Sequence, residues 1–100
     1  WFLRGREFVR FALSLYGVKK DDEEISAAAA QLALDPKVLG NRVQTYSKGM
    51  RQKLGIMGTV LPGTPLLILD EPMSGLDPRA RACVKDMLDQ ARAAGRTIFM

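Results

Sequence analysis

Four consecutive aliphatic residues, Leu66-Leu67-Ile68-Leu69, run straight into two acids and a proline, Asp70-Glu71-Pro72. A continuous apolar run this short, bounded by Pro65 on its other side, reads as a strand buried on both faces. Asp77-Pro78 then makes a good helix start, with Asp at the N-cap and Pro at the first helical position. Ala80, Val84, Met87, Leu88 and Ala91 form its apolar face, and Gly95 closes it. Thr97–Met100 reads as a second strand. Strand, helix and strand within about 35 residues make a βαβ unit, so the two strands are expected to be parallel and the crossover right-handed.

Before that unit the pattern is helical throughout. Phe8, Phe11, Ala12, Leu15 and Tyr16 recur at helical spacing from Gly5 onward, and Gly17 follows as a stop. Residues 19–24 are a charge run, read as solvated surface in which Asp21 or Asp22 caps a second helix. That helix passes through Ile25, Ala28, Ala29 and Leu32 to about Leu34, where Asp35-Pro36 ends it. Gly40–Tyr46 reads as loop. Ser47 opens a third helix whose stripe is Met50, Lys53, Leu54, Met57, Val60 and Leu61, until Pro62-Gly63 stops it. The fold class is therefore α/β: a mostly helical segment, residues 1–61, followed by a parallel βαβ unit, residues 62–100.

Several function classes are excluded or disfavoured. With no histidine among 100 residues, no His-based metal site or histidine general base can exist within them. Cys83 is the single cysteine, so no internal disulfide forms and a reducing compartment suits the chain. Cys83 itself reads as a packed or partly exposed small residue on a helix. The formal net charge of +4 could suit a polyanion, but the basic residues are scattered, which argues against nucleic acid. The longest aliphatic stretch is far too short to span a bilayer. A start at Trp1, without Met or a leader pattern, reads as a cleavage product or an internal piece of a longer chain. Trp1-Phe2 reads as a partner-facing surface or, more simply, as core residues without their cover.

Three short stretches carry the chemistry. Carboxylates at the carboxyl end of a central strand lie where open α/β sheets bind ligands. Asp70 there can hold Mg²⁺ through water, and Glu71, one residue on, can take a proton from an attacking water. Read alone, the pair is also compatible with an acidic turn after a buried strand. In Tyr46-Ser47-Lys48-Gly49-Met50-Arg51-Gln52, the free N–H groups at the helix start make an anion site, with Gly49 allowing close approach and Lys48 adding charge. Alone, Ser47 reads better as a plain cap. Ser74-Gly75-Leu76-Asp77 leads from the acids into the next helix, and Asp77 is fully accounted for by capping unless its place after Asp70 matters.

Together these stretches resemble the ATPase domain of ABC transporters. The resemblance rests on the Tyr-Ser-Lys-Gly-Met-Arg-Gln signature, then Leu69-Asp70-Glu71-Pro72, then Ser74-Gly75-Leu76-Asp77-Pro78, in that order and spacing. Arg6-Glu7-Phe8 through Leu15-Tyr16-Gly17 looks like the first helix of the family's helical subdomain, and Gly40-Asn41-Arg42-Val43 like the approach to its signature. The form of the signature looks like that of bacterial and archaeal exporter-type members. Against the commonest Leu-Ser-Gly-Gly-Gln form, Tyr46, Lys48 and Met50 are departures, while Ser47 and Gly49 are kept; Met73 stands where Thr is more usual. The Gly-rich loop ending in Gly-Lys-Ser/Thr, the metal-contacting glutamine and the switch histidine of the family are absent from these residues, which reads as truncation on both sides.

The resemblance implies the rest. Two ATPase domains would pair head to tail, so that Ser47 and Gly49, with Lys48 at the edge, touch the γ-phosphate of ATP held by a second copy. Asp70 would hold Mg²⁺ on its own chain, Glu71 would be the general base, and Asp77 would lie in the D-loop that links the two sites. Residues 1–61 would face transmembrane permease subunits at the cytoplasmic face of the membrane. The segment by itself is expected to be inactive, because the phosphate loop is missing, and an open edge at 97–100 is expected to promote self-association. Two other classes fit less well. DNA-repair and chromosome-organising ATPases share the motifs but insert long coiled coils, and no sustained heptads occur here. A stand-alone helical interaction module without catalysis is supported by the missing loop, and flanking sequence carrying Gly-Lys-Thr upstream and a histidine downstream would favour the ATPase over it.

Overall fold

Helices in this chain begin where a side chain can satisfy their first free N–H groups. Asp21 accepts from the Glu24 N–H at 2.8 Å, Ser47 Oγ from the Met50 N–H at 3.1 Å, and Asp77 from the Ala80 N–H at 2.8 Å. At the first helix the direction is reversed: the Arg4 N–H donates to the Glu7 carboxylate at 2.8 Å. The computed structural model describes residues 2–100, so Trp1 lies outside it. The elements are α1 (Gly5–Ser14), α2 (Asp22–Gln31), two short 3₁₀ turns (Pro36–Gly40 and Val43–Thr45), α3 (Lys48–Val60), β1 (Leu66–Ile68), α4 (Pro78–Ala93) and β2 (Thr97–Phe99).

The expected βαβ unit is present. β1 and β2 pair in parallel, with Leu66 opposite Thr97, Leu67 opposite Ile98 and Ile68 opposite Phe99. The Leu69 N–H extends the ladder by donating to the Phe99 carbonyl at 2.9 Å, which holds the acids at the strand's end. Ala80, Val84, Met87, Leu88 and Ala91 are all buried, as the helical period of α4 predicts. Gly95 closes that helix at φ +88°, a conformation that favours glycine.

Four expectations need correction. Only one face of β1 is covered: Leu67 is 1% exposed, whereas Leu66 is 51% and Ile68 68% exposed. The opposite face stays largely open among the described residues, with Ile68 bordering a cavity beside Gln52 and Gly55 of α3. The stretch 40–46 is not plain loop, because Val43–Thr45 winds into a 3₁₀ turn and Tyr46 is buried behind it. Helix α2 stops at Gln31, short of Leu34, since Ala33 turns left-handed at φ +57° and its carbonyl accepts from Lys53 Nζ at 3.1 Å. Along α1 the buried residues are Gly5, Val9 and Leu13, while Phe11, Leu15 and Tyr16 stay exposed. Cys83 is half-buried, as expected of a small residue on a helix flank.

One apolar cluster runs through both halves of the chain. It joins Val9, Leu13, Ile25 and Leu32 through Leu54 and Met57 of α3 to Leu69, Leu76, Val84 and Leu88. Helix α3 therefore sits centrally, with its amino end directed at the turns that follow β1. Among the described residues no helix is long and apolar enough to cross a membrane.

Candidate active site

The site is assembled at the tip of α3 and the turns between β1 and α4. Ser47 is exposed, and its Oγ accepts the Met50 N–H, which leaves its own O–H free to donate. The N–H groups of Lys48 and Gly49 occupy the first two helical positions, which have no acceptor within the helix. A β-carbon on Gly49 would stand 3.2 Å from the Gly75 carbonyl, and one on Gly75 would meet the Lys48 side chain at 3.2–3.3 Å. The Lys48 stem thus lies across the Gly75 turn, and the helix tip and the turn pack backbone to backbone. Gly75 also holds φ +76°, so glycine is required there on two counts. Ser47, Lys48, Gly49 and Asp77 border one open cavity of about 400 Å³.

The acids lie on the other side of α3. Asp70 lines a smaller cavity of about 200 Å³ with Gln52 and Pro72. Both Asp70 and Glu71 are exposed. Glu71 has φ +46°, a region that residues other than glycine seldom occupy. Its carbonyl accepts from the Ser74 N–H at 3.0 Å, closing a turn with the buried Pro72 at its second position, and from Gln52 Nε2 at 2.9 Å. The predicted residues therefore fall into two groups, Ser47–Gly49 with Asp77 and Asp70 with Glu71, separated by the first turns of α3. Gln52 joins the two groups and was not singled out in the sequence; its signal is its position on the same helix, just beyond the serine-led tip.

Among the described residues no three acid, histidine or cysteine side chains gather into a metal cage. A lone strand-end carboxylate such as Asp70 suits Mg²⁺, which keeps most of its water and takes one or two carboxylates together with phosphate oxygens. A separate cavity of about 430 Å³ beneath the end of α1 is lined partly by Arg10 and Lys20. Those cations are already paired, Arg10 with Asp22 and Lys20 with Glu24, the latter at 3.4 Å. Tyr46, next to the serine, is a support: its Oη donates to the Val38 carbonyl at 2.5 Å, and burial raises its pKa above the usual phenol value.

A parallel strand ending in acids and a serine-capped helix packed on a glycine turn make up a portion of an α/β fold. The ABC transporter family model matches residues 3–74, well over half of the chain, and the chain belongs to that family. The chain is 42% identical over 98 residues to the fluoroquinolones export ATP-binding protein of Mycobacterium tuberculosis, an alignment covering 98% of this chain and 32% of that protein. It is 39% identical over 101 residues to the ABC transporter ATP-binding protein YhcH of Bacillus subtilis, covering 99% of this chain and 32% of that protein. The cytochrome c biogenesis ATP-binding export protein of Cupriavidus pinatubonensis is 32% identical over 88 residues, covering 88% and 38% respectively. The chain thus spans about a third of the length of these relatives.

Proposed function

We propose that these residues form the signature and carboxylate portion of the ATP-hydrolysing subunit of an ABC transporter that works in export. Residues 1–61 serve as the helical subdomain facing transmembrane permease subunits at the cytoplasmic side, and residues 62–100 belong to the ATPase core. The observation that carries this reading is the split of the site: an anion-attracting helix tip against the Gly75 turn on one side, and strand-end acids on the other. Such a split suits two nucleotides shared head to tail between two copies. Ser47 donates its hydroxyl, and Lys48 and Gly49 their backbone N–H groups, to the γ-phosphate of ATP held by the second copy. Lys48 adds charge at the rim, and Asp77 fixes the turn beside them. Asp70 would hold Mg²⁺ on its own chain, where the ion would supply positive charge against the phosphates. Glu71 accepts the proton of the attacking water. The export direction is suggested by relatives named for export.

The test is Glu71→Gln in the full-length subunit with its permease. General-base removal should lower ATP turnover on the order of 100-fold or more while ATP binding persists. Retained turnover would overturn the base assignment. The purified 100-residue chain should show no magnesium-dependent ATP turnover, since it contains no Gly-rich phosphate loop with its lysine.

A further inference from the structure

Glu71 is held in an unfavourable backbone conformation, and such a conformation persists only where its surroundings over-determine it. Three features do so here. The Leu69–Phe99 hydrogen bond fixes the chain before it, the buried Pro72 and the Ser74 N–H fix the turn after it, and Gln52 reaches in from α3. The first two are parts of the strand and turn themselves. The Gln52 bond is different in kind, because it comes from another element, nineteen positions earlier in the chain. We propose that Gln52 is a positioning residue, whose amide latches the Glu71 carbonyl and ties the direction of the Glu71 carboxylate to the seating of the α3 tip.

The geometry supports this in two ways. Orienting the Glu71 carbonyl sets ψ at Glu71, and with φ at +46° this fixes where its Cα–Cβ bond points; an unlatched residue can relax toward extended backbone and swing its side chain away. Ser47, Lys48 and Gly49 begin the same helix that carries Gln52, so a rigid shift of that tip must pull on the latch. On the next position Lys53 is bound to the Ala33 carbonyl at 3.1 Å, so the helix is braced against the helical half as well. Contact at the serine tip, which reads one nucleotide, is thereby coupled to the acid that acts on the other.

This inference rests on the proposed role of Glu71, and its test separates the two. In the full-length subunit with its permease, Gln52→Leu removes the donor, and Gln52→Glu keeps the shape but replaces the donor with a carboxylate. Both should lower kcat on the order of 10- to 100-fold, as expected for a slightly misdirected catalytic group, with KM for ATP within about twofold. In a Glu71→Gln background, Gln52→Leu should cost nothing more, because the group it positions is gone. Crystals of Gln52→Leu should show φ of Glu71 outside the left-handed region. The latch is overturned if Glu71 keeps its positive φ in those crystals, if kcat is unchanged in both variants, or if the loss is the same in the Glu71→Gln background. Turnover retained by Glu71→Gln alone would instead sink the base assignment, and the crystal result would still decide the latch.

Discussion

Tyr46 shows how one side chain can support a site without entering it. It is 3% exposed, its hydroxyl is bound to the Val38 carbonyl, and it leads directly into Ser47. Replacing it with Phe should lower the stability of the chain by about 1 kcal/mol near neutral pH, the usual loss for one hydrogen bond. The pH dependence should change too. Burial raises the folded pKa above the ordinary value of 10.0, so the unfolded chain gives up this proton first. The contribution is whole below pH 10.0 and drains away as pH climbs through the raised value. Urea midpoints at pH 8 and pH 11 should therefore fall less steeply in Tyr46→Phe than in the parent chain. Gly5 faces the same ring: a β-carbon there would collide with Tyr46 Oη and stand 3.3 Å from the Leu39 backbone. Gly5→Ala should cost about 1–3 kcal/mol by overpacking, read as a lower thermal midpoint.

At the scale of an element, α3 contains a glycine with the opposite expectation. Gly55 lies exposed in the helix interior, and a β-carbon there would meet nothing within 4 Å. Gly55→Ala should stabilise the chain by about 0.5–1 kcal/mol, since glycine is a costly helix residue and no neighbour objects. An unchanged or lower denaturation midpoint would contradict that. Element starts were legible from residue types alone, because Asp21, Ser47 and Asp77 cap through purely local chemistry. The βαβ unit was legible for a similar reason: a short aliphatic run and a helical stripe have distinct periods. Exposure of Leu66 and Ile68 was not legible, because whether a strand face is covered depends on residues far away in sequence or on another chain. The end of α2 depended likewise on Lys53 reaching back to the Ala33 carbonyl. Of the site, the residue types were readable, whereas the Gln52–Glu71 bond and the Gly49–Gly75 approach exist only once α3 is docked.

For the molecule as a whole, the radius of gyration of 12.6 Å is that of a compact chain, close to the roughly 13 Å expected at this length. Its accessible surface of 6120 Å² nevertheless exceeds the roughly 5,700 Å² expected for its mass. Part of that surface is apolar and sits on the sheet: Leu66, Ile68, Phe99 and Met100 are each more than half exposed. The sheet has just two strands among the described residues, so the outer edges of both lack a strand partner. The purified chain should self-associate with rising concentration, and Ile68→Lys combined with Phe99→Ser should suppress this in light scattering without lowering the thermal midpoint. An undiminished association would mean that another surface drives it. Finally, the segment leading into the serine tip is clasped to the start of α1, through an antiparallel bridge between Arg4 and Arg42 and through bonds from the Gly5 N–H to the Asn41 carbonyl and the Val43 N–H to the Leu3 carbonyl. Those two amide protons are natural reporters: their exchange with deuterium should slow whenever something seats on the tip and quicken whenever the clasp opens, giving a label-free gauge of how firmly the tip is anchored.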